Sequence, residues 1–219
     1  MNPRLFRRIA IAEVAALPAF VELYIWKLQF LAPLSWIVFP IWVAASFLLH
    51  RDTPKALGWR ADNLWPATKQ TAIVYGAFAA ALIVIGLLLH APRPFPRHLI
   101  DPDRLWSYFT FCLVQQVALN SLITNRLLSV TSNRWISSLA AGAAFAICHW
   151  PNPVLVPVTF IGGAAMSWLF ARERNIIPLA IGQAILGTLV WWSFPVAWHH
   201  HLRVGPGYFE YPRPNSGLS

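Results

Sequence analysis

The sequence predicts an all-α integral membrane protein with about seven transmembrane helices in one bundle. Hydrophobic residues make up 57% of the 219-residue chain and charged residues only 11%, whereas soluble domains average about 45 to 50% and about 25%. Apolar stretches close to the roughly 20 residues that cross a bilayer as a helix recur along the chain. No flexible linker divides them, so residues 1–219 are expected to form a single membrane domain.

The predicted spans follow one another with short breaks. A helix satisfies its backbone hydrogen bonds internally, so each apolar stretch is interpreted as a membrane helix. In order, the spans are 9–26, 34–49, 71–89, 105–127, 135–150, 154–171 and 176–197. Proline or charged residues mark the breaks at 51–55, 91–97, 151–153 and 172–175. A short polar tail, 199–219, follows the last span.

The net charge of +9 is spread through the loops, so nucleic-acid binding is not expected. With seven spans, most of the 17 Lys and Arg residues lie on the side of the N-terminus. The positive-inside rule then predicts an N-terminus in the cytoplasm and a C-terminus outside. This arrangement fits a bacterial inner membrane protein with membrane lipids around it.

Polar side chains stand midway along three spans in the second half of the chain. Polar groups within a membrane segment usually face protein or water and mark functional positions. On a helix, Gln116 and Asn120 share a face, with Thr124 continuing it, while Gln115 is turned about 100° away. Phe145 and His149 are also four apart in the next motif. A third motif carries Gln183 and Gly187.

These motifs resemble, in order and spacing, those of the CPBP family of intramembrane CAAX-processing and bacteriocin-processing proteases, also called the abortive-infection family. The resemblance covers about 105–190, and residues 56–59 resemble the family's re-entry segment. The resemblance implies that the family has a glutamate pair where this chain has Gln115 and Gln116, and an arginine where it has Asn120. It likewise implies a family histidine at the position of Gln183 and a family asparagine or aspartate at the position of Gly187. Only Phe145 and His149 match the family's residues.

The substitutions argue against proteolysis. In the family a glutamate is thought to activate water, and a glutamine amide cannot serve as that general base near neutral pH. Loss of the arginine fits loss of the carboxylates, since a buried unpaired guanidinium would be destabilising. We therefore expect a pseudoenzyme that works by binding, as an accessory subunit of a membrane complex with a membrane-protein partner or as a holder of a lipid-like ligand.

Two alternatives stay open. An endopeptidase could survive around His149, with a carboxylate borrowed from Glu13 or Glu22, although the simpler interpretation places both acids near an interface. Alternatively, His149 could ligate a pigment or a metal in a cofactor-binding subunit. The sequence predicts no metal site and does not identify a cofactor.

Several other polar residues have a simpler interpretation. The amides of Gln116, Asn120 and Gln183 suit either a ligand pocket or hydrogen bonds between helices. The run 199–201 is interpreted as an interfacial histidine patch rather than a metal site, and Cys112 and Cys148 as small packing residues.

Overall fold

The computed structural model describes residues 3–91 and 102–210, and these are helical with no strand. Most of the proline-rich break 91–97 and the tail residues 211–219 lie outside the described residues. The α-helices, in order, are α1 Pro3–Leu23, α2 Gln29–Leu31, α3 Val38–His50, α4 Leu64–Leu88, α5 Pro102–Gln116, α6 Asn125–Thr131, α7 Arg134–Ile147, α8 Leu155–Glu173, α9 Ile177–Ser193, α10 Val196–His199 and α11 Pro206–Phe209.

Short π and 3-10 segments connect several of these helices. A π-helix at Tyr24–Leu28 joins α1 to α2, and a second, Val117–Thr124, joins α5 to α6. Single turns of 3-10 helix occur at Pro33–Ile37 and His200–Leu202. The predicted fourth span is therefore one continuous helical rod whose middle is wound as a π-helix.

Every predicted span corresponds to helix, but the number of spans is only partly supported. Four helical segments among the described residues are long and apolar enough to cross a membrane: Arg4–Leu31, Pro33–His50, Leu64–Leu88 and Leu155–Glu173. Ile177–Ser193 with Val196–Leu202 forms a fifth if this pair, bent by 118°, counts as one span. The helix α7 is apolar but shorter, and the polar residues of α5 and its π-helix lower the hydropathy there. The chain is an integral membrane protein with four to five candidate spans.

Small residues bring α7 and α8 close together. A Cβ added at Gly142 would lie 2.6 Å from the Phe160 backbone oxygen, and one at Gly163 would lie 3.1 Å from Cδ1 of Phe145. Such glycines allow helices to approach closely in membranes. Further along α8, Leu169 and Phe170 join a core with Leu119, Leu122 and other residues of the π-helix.

The loops at one end of the bundle are held together by side-chain amides. Asn125 Nδ2 donates to the Ala56 oxygen at 2.9 Å, and Asn175 Nδ2 donates to the Arg60 oxygen at 2.9 Å. Gly58 lies in the left-handed region (φ 88°), and a Cβ there would contact Phe170 at 2.7 Å. The segment 56–59 is therefore packed against the ends of α6 and α8.

At the opposite end, Asn152 organises the loop after α7. Its Nδ2 donates to the backbone oxygens of His199 and Arg203, each at 2.9 Å. Its Oδ1 accepts from the backbone N–H groups of Val154 and Leu155 at 3.1 and 3.0 Å. This buried asparagine both caps α8 and fastens the C-terminal segment to the bundle.

Candidate functional site

Most of the motif residues meet where the chain changes from α to π winding. Gln115 and Gln116 are the last residues of α5, and Asn120 lies in the π-helix that follows. Gln183 reaches them from the middle of α9. Gln116 and Asn120 are fully buried, and Gln183 is 8% exposed. π-Helical turns are rare and frequently occur at functional sites.

The amides form one continuous chain of hydrogen bonds. Gln183 Nε2 donates to Gln115 Oε1 at 2.5 Å, and Gln116 Nε2 donates to Gln183 Oε1 at 2.6 Å. Asn120 Nδ2 donates to Gln116 Oε1 at 2.5 Å. The Thr124 hydroxyl lies 3.1 Å from Asn120 Oδ1 and 3.0 Å from Ser167 Oγ. We call these six side chains the amide network: Gln115, Gln116, Asn120, Thr124, Ser167 and Gln183.

Gln116, Asn120 and Gln183 each use both ends of the side-chain amide within the network, whereas Gln115 contributes its Oε1 as an acceptor. A carbonyl oxygen of one side chain accepts from the NH₂ group of the next, and Gln116 Nε2 also lies 3.0 Å from Met166 Sδ. Buried polar groups favour such complete pairing because an unpaired one costs about 1–3 kcal/mol. The network is neutral and pairs its buried amides with one another, so it stabilises contacts among α5, α8 and α9, and none of its six side chains is a general base.

Gly187 has no side chain of its own, and this leaves room for a neighbouring side chain at the site. A Cβ at Gly187 would lie 2.0 Å from the Tyr108 hydroxyl oxygen, so this glycine makes room for the phenol of α5. Gly182, one residue before Gln183, likewise makes room for the Tyr75 ring, which would lie 2.0 Å from a Cβ. Two tyrosines therefore contact α9 on either side of the network, at places where no larger residue fits.

Phe145 and His149 form a second group, at the end of α7. Their rings meet edge to face with centroids 4.7 Å apart, and His149 Nδ1 lies 2.7 Å from the Phe145 backbone oxygen. Phe145 packs in the same core cluster as Met166 and Leu119, which line the network. No hydrogen bond found among residues 3–91 and 102–210 joins His149 to an amide of the network. The structure thus brings together four of the motif side chains and leaves the histidine beside them.

The two acids of α1 lie in different surroundings. Glu13 is 7% exposed, and its Oε2 lies 3.0 Å from Arg126 Nε and 3.1 Å from His50 Nε2. Arg126 Nη2 also lies 2.7 Å from Asp52 Oδ2. Glu13 is therefore a buried partner of an arginine from the motif-bearing rod, and it also contacts His50 at the end of α3.

Glu22 lines an apolar groove on the outside of the bundle. Trp26 Nε1 donates to Glu22 Oε2 at 2.8 Å, whereas Oε1 is buried with no hydrogen-bond partner among the described residues. The groove has a volume of about 600 Å³. Its walls come from α7, the turn that follows it and the first turns of α8, including Ala143, Ala146, Trp150, Pro157 and Phe160. Trp150 is the residue after His149 in sequence, so we call this space the groove beside His149, although His149 itself does not line it.

Within the histidine run, His199 is fully buried and is not part of a surface patch, whereas His200 is half-buried and His201 is exposed. His199 Nδ1 accepts from the Leu202 N–H at 3.2 Å, and His200 stacks on Tyr208 with centroids 4.2 Å apart. Both rings hold the C-terminal segment in its turn.

Cys112 and Cys148 are free cysteines, in agreement with their expected packing role. Residues 3–91 and 102–210 contain no group of three His, Cys, Asp or Glu side chains that could hold a metal ion.

Some residues of the site were not found from the sequence. Ser167 and Met166 complete the amide network from α8, and Tyr108 occupies the space above Gly187. Tyr108 stands seven residues, or about two helical turns, before Gln115. This spacing indicates that the two side chains share a face of α5. Ser167 and Met166 lie in a span that carries no motif, and only packing reveals their role.

The amides of the first and third motifs meet in one network, and Phe145 and His149 of the second motif lie in a separate group, as described above. Residues 102–189 match the family model of type II CAAX prenyl endopeptidase Rce1-like proteins. The matched segment runs from the start of α5 nearly to the end of α9 and contains every motif residue. Over this segment the chain is similar to the CAAX prenyl endopeptidases of the CPBP family. Searches of curated proteins and of solved structures found no significant match.

Proposed function

We propose that this protein is a non-catalytic CPBP-family member of a bacterial inner membrane that works by binding a lipid-like ligand, alone or as the accessory subunit of a membrane complex. The observation that carries the proposal is the amide network. Where the family resemblance implies acids and bases, this chain has neutral side chains that hydrogen-bond to one another. General acid–base catalysis contributes about 10²- to 10⁴-fold, and no group in the network supplies it.

The groove beside His149 is the proposed binding site. Its volume of about 600 Å³ falls in the roughly 300–1,000 Å³ range of small-ligand sites. Its walls are apolar except for Glu22, whose unpartnered Oε1 offers one acceptor at the end of an otherwise hydrophobic surface. This chemistry suits a ligand with an alkyl or isoprenoid-like body and a single hydroxyl or amine donor.

Copurification tests the proposal. The full chain is extracted in a mild detergent, and its bound proteins and lipids are identified by mass spectrometry. We expect a stoichiometric lipid-like molecule that Ala143→Phe displaces by filling the groove. Ala80→Phe is the matched control, since Ala80 is exposed on α4 away from the groove. Absence of both a bound lipid-like molecule and a protein partner from the wild-type protein contradicts the proposal.

One observation favours a second function, an endopeptidase around His149. Glu13 is committed to Arg126, whereas Glu22 lines the groove that the turn after α7 borders. Glu22 is therefore the carboxylate that could act with His149. If the protein is an endopeptidase, it cleaves peptides, and either Glu22→Gln or His149→Ala abolishes that cleavage. The binding function proposed above predicts no cleavage by the wild-type protein.

A further inference from the structure

A separate cavity of about 500 Å³ lies between the beginning of α7 and the end of α8. The residues of α7 and α8 that line this cavity are different from those that line the groove and lie at the other end of each helix. The first turn of α7 and the turn before it form one wall, and the last two turns of α8 form the other. The lining residues are Ser132, Asn133, Arg134, Trp135, Trp168 and Arg172.

Two arginines give this cavity its charge. The ion pairs found within residues 3–91 and 102–210 involve neither Arg134 nor Arg172. The acid next to Arg172 in sequence, Glu173, does not line the cavity. Burial, followed by the nearby Arg134 guanidinium, lowers the pKa of Arg174 at the end of α8. Arg174 is thus a third cation near Arg134, and Asp52 is the acid that acts on it in the opposite direction.

Two tryptophans provide the apolar part of the lining. The rings of Trp135 and Trp168 lie 5.8 Å apart, and the Arg172 guanidinium lies 4.7 Å from the Trp168 ring centroid. Asn133 Oδ1 accepts from the Trp135 and Ile136 N–H groups at 2.9 and 3.1 Å. The helix terminus is therefore already capped, and the cavity's attraction for anions rests on the arginine side chains.

The cavity lies at the end of a candidate span. Arg172 is in the last turn of α8, which is long and apolar enough to cross a membrane. Trp135 is 66% exposed at the start of the neighbouring helix. Tryptophan favours the level of the lipid headgroups, so this combination places the arginines where lipid phosphates are found.

We infer that this cavity binds the phosphate group of an anionic membrane lipid. Arginine guanidinium groups match phosphate oxygens with paired hydrogen bonds, so Arg134 and Arg172 can hold one headgroup between them. The indole rings of Trp135 and Trp168 pack against the glycerol and the upper acyl chain. This site is distinct from the groove beside His149 and does not depend on the proposed function.

Native mass spectrometry of the full chain with added phosphatidylglycerol or phosphatidylcholine tests the inference. We expect phosphatidylglycerol to bind preferentially and Arg134→Gln/Arg172→Gln to weaken it about 30-fold, from about 1 kcal/mol for each charge. Arg7→Gln/Arg8→Gln removes the same charge from exposed positions of α1 and should leave binding within about twofold of wild type, because these arginines are outside the cavity.

A charge-conserving pair of substitutions, Arg134→Lys/Arg172→Lys, gives a second measurement that does not depend on the first variant folding. We expect an intermediate loss of binding, because lysine keeps the charge but not the paired geometry. Equal losses in the Arg134/Arg172 and Arg7/Arg8 glutamine variants would overturn the inference. Equal binding of the two lipids to the wild-type protein, or competition by inorganic phosphate as effective as by phosphatidylglycerol, would also overturn it.

Discussion

Gln116 illustrates how one side chain sets the chemistry of the site. Its Nε2 donates to Gln183 Oε1 at 2.6 Å, and its Oε1 accepts from Asn120 at 2.5 Å. A glutamate here would place a carboxylate oxygen against the carbonyl oxygen of Gln183. The residues at 116 and 183 are therefore coupled, because an acid at 116 needs a hydrogen-bond donor from residue 183 where Gln183 now presents an acceptor.

At the residue scale, we predict that Gln116→Glu lowers the free energy of unfolding by about 2 kcal/mol or more, because a buried charge loses a donor contact. Adding Gln183→His supplies an N–H donor and should recover part of the loss. Gln115→Glu is the control, since Oε1 of Gln115 only accepts and an acid keeps that role. Thermal unfolding in detergent measures the stability of all three variants. Equal losses of stability in Gln116→Glu and Gln115→Glu would contradict the prediction.

Gly187 provides a second prediction at the residue scale. Gly187→Ala should destabilise the protein by about 1–3 kcal/mol, the range for overpacking, because its Cβ would lie 2.0 Å from the Tyr108 hydroxyl oxygen. Tyr108→Phe removes that oxygen, and the nearest ring atom then lies at 3.2 Å. The double variant should therefore be more stable than Gly187→Ala alone. A double-mutant cycle with no coupling would contradict this packing.

At the scale of elements, Arg126 joins three parts of the chain. It contacts Glu13 on α1 and Asp52 after α3, and its Nη2 donates to the Ser46 hydroxyl at 2.9 Å. Breaking a buried ion pair by removing one partner costs about 3–5 kcal/mol, because the other charge stays buried and unpaired. The rod that carries the amide network is thus anchored to the first helices by a charged cluster.

We predict that Arg126→Met lowers the free energy of unfolding by about 3–5 kcal/mol. The triple variant Arg126→Met/Glu13→Gln/Asp52→Asn removes the unpaired charges and should be more stable than the single one. Arg104→Met, at an exposed position of α5, is the matched control and should change stability by less than about 0.5 kcal/mol. Equal stability of the single and triple variants would contradict the prediction.

The sequence predicted the helices well and the site only in part. Hydropathy located the long helices but not short ones such as α11 in the predicted tail, and four-residue spacing placed Gln116, Asn120 and Thr124 in one network. It could not show that Gln115, turned away on an ideal helix, would still reach Gln183, because that contact depends on how α9 packs. Nor could it pair Glu13 with Arg126, since a local pattern carries no information about partners 113 residues apart. The buried His199 was missed for the same reason.

At the scale of the whole molecule, the amide network lies inside the bundle, whereas the two cavities open on its surface. The groove bordered by Glu22 and the cavity bordered by Arg134 and Arg172 both present lipid-compatible surfaces. The interior stabilises the fold, and the outside carries the proposed binding.

The most direct test of this account is peptide cleavage by the purified wild-type protein in lipid nanodiscs, measured with prenylated and unprenylated reporter peptides. We predict no cleavage above that of empty nanodiscs, because the amide network supplies no general base. Gln116→Glu/Asn120→Arg/Gln183→His serves as the comparison in which cleavage can return on the same scaffold. Cleavage by the wild-type protein that disappears in His149→Ala would contradict the account.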